Sequence, residues 1–251
     1  MNLPGNSPLR FRPSTSCLQG ILVAAALCAT LVGQPAWADP YLAPGHPDGI
    51  ALLPPPPLPG SGEEAAELAA SRCAFQARTP AERARAIKDS GLSFALFEPA
   101  IGPLFRTGKI PKTEALLAKV RTEIGIVIDI PKDHYKRKRP YQLDKDLTLG
   151  DPEPSFGYPS GHSTRGTVYS LILAEIFPEK SKPILVIGRD IGWDRVLIGK
   201  HFTSDVQAGR VLGKAIVREL LASPSFQHDL AEAKAEVLAL SNLEAPVETA
   251  R

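Results

Sequence analysis

Three short clusters in this 251-residue chain carry side chains that could do chemistry together. The first runs Lys132-Asp133-His134-Tyr135-Lys136-Arg137-Lys138-Arg139-Pro140. The second is Pro159-Ser160-Gly161-His162, and the third joins Arg195 to His201 and Asp205. They supply fixed cations, a helix start with free backbone N–H groups, and two histidines, one with a carboxylate four residues on. Fixed cations and oriented donors stabilise the charge on a phosphoryl group in flight, and an imidazole can attack that group without a metal.

Taken singly, each cluster also has a plainer reading. Pro159 followed by Ser160 reads as the N-cap of a helix carrying Val168 to Ile176. Such a helix start seats anions, and Gly161 lets the backbone come close to one. His162 then stands at the rim, placed to hand a proton to a departing alkoxide; without neighbours it is an exposed histidine on a capped helix. In the basic stretch, Pro140 biases Arg139 toward an extended backbone that turns its guanidinium away from the local helix. That planar fork suits two phosphate oxygens and Lys132 a single point of charge, although a charge run by itself is more often solvated surface. Asp205 can accept the Nδ1–H of His201 and leave Nε2 nucleophilic, or simply be a favourable charge in a first helical turn.

Other phosphoryl-transfer designs are missing. Cys73 and Arg78 are separated by four residues, not five, and lack a glycine-rich cradle, so they do not form a cysteine phosphatase loop. Neither a Gly-x4-Gly-Lys-Ser/Thr nucleotide loop nor a His-Glu-x2-His zinc helix occurs. No metal and no other cofactor is expected, and His46 and His228 read as surface residues.

The elements that must position these residues read as mainly α-helical. Ser61 caps a predicted run from Glu63 to Phe75, and Thr79-Pro80-Ala81-Glu82 combines a cap, a first-turn proline and an early acid. Helical spacing recurs in Leu116, Leu117, Val120 and Ile124, in Val168, Leu171, Ile172 and Ile176, and in Ala208, Val211, Leu212, Ala215, Ile216 and Leu220. Ile184 to Ile187 is too short to separate helix from buried strand. The stretches Ile130 to Ser160 and Gly188 to Thr203 read as ordered loops holding the clusters. Leu52-Leu53-Pro54-Pro55-Pro56-Pro57-Leu58 predicts a polyproline-rich extended arm over residues 39–60, its leucines laid along the domain.

Residues 1–38 have the anatomy of a signal peptide: Arg10 and Arg12, an apolar stretch from Leu18 to Gly33, and a small-x-small site at Ala36-Trp37-Ala38. Cleavage there leaves one helical domain over residues 61–251, ending in a loose tail, with 27 basic and 27 acidic residues in the mature chain. A near-neutral balance argues against a nucleic-acid-coating surface. Cys17 and Cys28 leave with the leader, so Cys73 has no intramolecular disulfide partner. No other segment is long and apolar enough for stable membrane insertion.

Lys132-x6-Arg139-Pro140, then Pro159-Ser160-Gly161-His162, then Arg195-x5-His201-x3-Asp205 resembles the tripartite signature of the type-2 phosphatidate phosphatase and vanadium haloperoxidase superfamily. Within it the chain looks most like the bacterial class A non-specific acid phosphatases, which carry a Leu-Leu-Pro-Pro-Pro-Pro stretch like Leu52 to Pro57. The resemblance implies an all-α single domain and a periplasmic or secreted phosphate monoesterase acting on small phosphate esters, with phosphate transfer to alcohols as a side activity. It implies that Lys132, Arg139, Ser160, Gly161 and Arg195 hold phosphoryl oxygens. His162 is then the acid, His201 the nucleophile that becomes phosphohistidine, and Asp205 its partner. A homo-oligomer is implied by the resemblance alone. Asp194 departs from the family's serine before the arginine. It either orients Arg195 or points elsewhere as a surface charge. Three rivals share parts of this pattern: a membrane lipid phosphatase, a vanadate-dependent haloperoxidase, and a phosphate-ester binding protein without turnover. Phe156 and Tyr158 flank the second cluster and are candidates for stacking on an aromatic ester.

Overall fold

The computed structural model describes residues 39–106, 108–147 and 149–244, and among these it contains helices and no strand. Helices start where a side chain can satisfy their free N–H groups. The Asp48 carboxylate caps α1 (Gly49–Leu52), Ser61 caps α2 (Gly62–Ala77), and Thr79 and Glu82 form a reciprocal capping box on α3 (Pro80–Asp89). After the short α4 (Glu98–Ile101), Pro111 opens the long α5 (Pro111–Tyr135), and Pro140 opens α6 (Pro140–Leu143). The remaining helices are α7 (Gly161–Ile176), α8 (Ser181–Leu197), α9 (Thr203–Ala222) and α10 (Pro224–Glu244).

Helix α7 is the centre of the bundle, packed against α8 on one side and α9 on the other, while α10 lies on α5. Glycines make these approaches possible. A Cβ on Gly188 of α8 would fall 2.2 Å from the Ser170 hydroxyl of α7, and one on Gly209 of α9 would fall 2.7 Å from the Ser160 carbonyl. Val168, Ile172, Ile124, Val120, Leu212, Ile216 and Leu220 are all buried in one core, as their spacing requires. Val211 is the exception, 45% exposed on the outer side of α9.

Three expectations need correction. Ile130 to Tyr135 is not loop, because α5 runs through Pro131. Proline in a helix removes one hydrogen bond. Here its ring packs on α1, close enough that a Cβ on Gly49 would meet it at 3.0 Å. Gly188 to Leu197 is likewise the second half of α8, and Ile184 to Ile187 belongs to the same helix. Residues 40–60 do not form one extended arm. Tyr41, Leu42 and Leu53 are buried, α1 intervenes, and Leu52 and Leu58 face solvent. The expected leader over residues 1–38 and the tail beyond Glu244 lie outside the described residues.

Candidate active site

Lys132 lies on the last turn of α5, one residue past Pro131, and is buried. The helix ends at Lys136, whose φ of 48° is left-handed, a conformation costing about 1 kcal/mol for a residue with a Cβ. That turn sends Arg137 and Arg139 inward, where both are buried. The following strand-like segment is stitched to residues 155–157. The Gly157 N–H donates to the Arg137 carbonyl at 2.8 Å, Arg139 Nε donates to the Ser155 carbonyl at 2.9 Å, and Lys132 Nζ and Arg139 Nη2 share the Phe156 carbonyl. Burial, and then Arg139, push Lys132 down to about 7.

The second cluster starts α7 as its spacing predicts. The Ser160 hydroxyl accepts from the Ser163 N–H at 3.3 Å, and the Ser160 N–H donates to the Asp205 carbonyl at 2.9 Å. This second bond joins the start of α7 to the start of α9. Gly161 lies beside Lys132, a Cβ there falling 3.8 Å from the lysine Cε. His162 is half-buried, its Nε2 lying 3.1 Å from the Ser90 carbonyl beyond α3. Burial and the nearby Arg195 push it down to about 3, against the raising effect of the Ser90 carbonyl.

His201 is buried between two partners. Asp205 Oδ2 lies 3.2 Å from its Nδ1, and Arg139 Nη1 lies 3.0 Å from its Nε2. An arginine can only donate, so Nε2 carries the lone pair and the ring proton sits on Nδ1, facing the carboxylate. Burial, Arg139, Lys132 and Arg195 hold this imidazole well below its ordinary range, and therefore neutral. Asp205 Oδ2 also accepts the Phe202 N–H at 2.9 Å, and Oδ1 accepts from Arg137 at 2.6 Å.

Arg195 enters from the end of α8, 1% exposed and paired through Nη2 with Glu153. Its Nε and Nη1 are buried without a partner. Two unpaired guanidinium donors, near enough to Arg139 and His162 for their charges to act on one another, can take anionic oxygens. Burial opposes the Glu153 carboxylate, but Arg195 and Arg139 outweigh it and leave its pKa lowered. Asp194 points the other way. It is fully buried and takes a forked pair from Arg85 at 2.7 and 2.9 Å, so it is not a surface charge.

Tyr158 is not available for stacking: it is 1% exposed, its hydroxyl bonds the Pro54 carbonyl, and its ring meets Tyr135 edge-on. Phe156, 39% exposed, remains at the surface. Sequence reasoning missed Glu153, Glu67 and Ser90 as neighbours of the clusters, and left Arg137 undistinguished among five basic residues. Nothing local marks them, since each meets its partner across a large sequence separation. Among the described residues no three His, Cys, Asp or Glu side chains gather as a metal site, and no helix is long and apolar enough to cross a membrane.

Comparisons with known proteins place the three clusters within one family. The PAP2 superfamily model matches residues 115–228, which hold all three clusters. The chain is 32% identical over 199 residues to a non-specific acid phosphatase of Providencia stuartii, covering 75% of this chain and 80% of that protein. The chain belongs to the PAP2 superfamily. An acid phosphatase of Zymomonas mobilis, 30% identical over 202 residues, covers 76% of each chain. A non-specific acid phosphatase of Salmonella typhimurium is 32% identical over 154 residues, 59% of this chain and 62% of that protein. The all-α fold of this PAP2 protein agrees with that membership.

Proposed function

We propose that this acid phosphatase hydrolyses small phosphate monoesters through a covalent phosphohistidine on His201, with no metal taking part, after export from the cytoplasm. The observation that carries the reading is the orientation of the His201 ring, with a carboxylate behind Nδ1 and a guanidinium in front of Nε2. A phosphoryl group that takes the place of the Arg139 contact at Nε2 meets the ring's lone pair there and the unpaired donors of Arg195.

The chemistry then runs as two in-line displacements. His201 Nε2 attacks phosphorus as the P–O bond to the leaving group breaks, and His162 gives that oxygen a proton. Asp205 stabilises the positive charge of the phosphorylated ring. Water next attacks phosphorus, gives a proton to His162, and releases inorganic phosphate as the P–N bond breaks. Arg195, Arg139 and Lys132 neutralise the oxygens, and the Ser160-Gly161 helix start supplies backbone donors. The cavity of about 390 Å³ bordered by Arg195, Glu153 and Ser90 is the place for the leaving group. It is lined by apolar Ile87, Leu149 and Ile198 beside polar Lys200, which suits varied aryl, sugar or nucleoside esters.

The test is p-nitrophenyl phosphate hydrolysis by the mature protein between about pH 4 and 9, with EDTA and with vanadate, beside His201→Ala. Turnover that survives EDTA, falls with vanadate and is lost in His201→Ala is the expected result. Phosphate binding without turnover in the wild type makes the chain a binding protein, and loss with EDTA means a metal takes part. Export rests on Arg10, Arg12 and the Ala36-Trp37-Ala38 site; a periplasmic product whose N-terminal residue is Asp39 is the expected outcome.

A further inference from the structure

Behind His201, on the side away from the phosphoryl pocket, lies a second ionic network. Arg137 Nη1 donates to Asp205 Oδ1 at 2.6 Å and to the Ser204 hydroxyl at 2.7 Å, while Nη2 donates to Glu67 Oε2 at 2.5 Å. Glu67 comes from α2 and also receives the Ser204 N–H at 3.2 Å and the Ser204 hydroxyl at 2.9 Å, so it closes the first turn of α9. The Arg137 guanidinium lies on the Phe202 ring, 4.1 Å from its centroid, and its side chain is 3% exposed. The Arg137 guanidinium thus ties the segment after α5 to α2, through Glu67, and to the start of α9, through Ser204 and Asp205.

Asp205 needs this. Its side chain is fully buried, and an isolated buried carboxylate takes up a proton rather than remain charged. A protonated Asp205 could donate to Nδ1 of His201, pulling the ring proton to Nε2 and removing the lone pair that faces the phosphoryl pocket. The other groups facing Asp205 do not supply a contact of this kind. Lys132 and Arg139 influence it at longer range and are themselves committed to Phe156 and Ser155, Tyr158 is bonded to Pro54, and His201 is neutral. Even with Arg137 in place, burial holds Asp205 up at about 6.

We propose that Arg137, seated by Glu67, is a positioning residue for the phosphoryl transfer, supplying the counter-charge that lets Asp205 keep hold of the His201 Nδ1–H. The inference rests on the phosphohistidine reading, and Arg137 acts through Asp205 without touching the substrate. It differs in this from Arg139, two residues on, which faces the other side of the same imidazole.

The experiment measures kcat and KM for p-nitrophenyl phosphate across pH for Arg137→Gln, Arg137→Lys and Glu67→Gln, beside Asp205→Asn and His201→Ala. Without the counter-charge, Asp205 holds its proton to higher pH. The acid limb of kcat/KM in Arg137→Gln should therefore move upward, kcat should fall about 10²-fold at acid pH, and KM should stay near wild type. Arg137→Lys should recover part of the loss, Glu67→Gln should lose less than Arg137→Gln, and Arg137→Gln should add little to Asp205→Asn. A wild-type pH profile in folded Arg137→Lys and Glu67→Gln, or a loss that appears mainly in KM, overturns the inference. If His201→Ala retains turnover, it is the phosphohistidine reading that fails. If Arg137→Gln does not fold, the other two Arg137 and Glu67 variants still decide through their acid limbs.

Discussion

The two histidines of the site are held in opposite ways. His201 is buried with a hydrogen-bonding partner at each ring nitrogen, and its carboxylate partner is fixed in turn by Arg137 and by the Phe202 N–H. His162, half-buried, has one contact, to a backbone carbonyl just beyond α3. On the proposed mechanism His201 attacks and His162 gives the proton, and an attacking atom must point along one line, which fits a ring held on both sides. A proton donor has to meet leaving groups of different size, and a single contact on the edge of an open cavity leaves it that latitude. The cations divide along the same boundary. Arg139 is saturated by protein acceptors, whereas Arg195 keeps two buried donors unpaired.

The sharpest way to break this comparison is to delete each imidazole. His201→Ala should lower kcat on the order of 10⁴- to 10⁶-fold whatever the ester, as removal of a nucleophile does. His162→Ala should cost about 10²- to 10⁴-fold on alkyl phosphates and much less on p-nitrophenyl phosphate, whose leaving group needs little help from an acid. Single-turnover rates on a series of esters check this. Equal losses across the series in both variants would remove the division of labour.

Protonation gives a second contrast. Burial and Arg195 disfavour the imidazolium of His162 and place it at about 3, so in the empty site it should stay neutral down to about pH 4. A bound oxyanion opposes Arg195, and the same group should then titrate at higher pH. NMR titration of the ring with and without vanadate reads both. A free-enzyme titration near the ordinary histidine value of about 6.5 would show that the pocket does not desolvate it.

The smallest effects concern the helix seams beneath the two halves. Gly188→Ala forces a methyl into the Ser170 hydroxyl across the seam between α7 and α8, and should destabilise by about 1–3 kcal/mol with activity kept in the folded fraction. Gly209→Ala presses instead on the Ser160 carbonyl, at the α7 start that is bonded to Asp205. It should cost a similar amount of stability and also lower kcat. Denaturant melts run beside the assay separate the two, and equal kcat values would mean that the α7 start is insensitive to that seam.

The helices and the three clusters were legible in the chain because their signals are local. Caps such as Ser61, Thr79 and Ser160 act within three residues, apolar spacing repeats every turn, and Asp205 follows His201 by one turn. The same local logic failed at Pro131 and beyond Gly188. There a breaker residue suggests a loop, but packing on α1 and α7 keeps the helix going. What the tertiary structure alone decided is which cation serves which group. Among the basic residues of the first cluster, Arg137 turned behind the imidazole and Arg139 in front of it, and Asp194 turned from Arg195 to Arg85. Those choices depend on Glu67, Phe156, Glu153 and Arg85. Each is remote in sequence from its partner, and each is in reach only because a buried charge must find its counter-charge once the helices have closed around it.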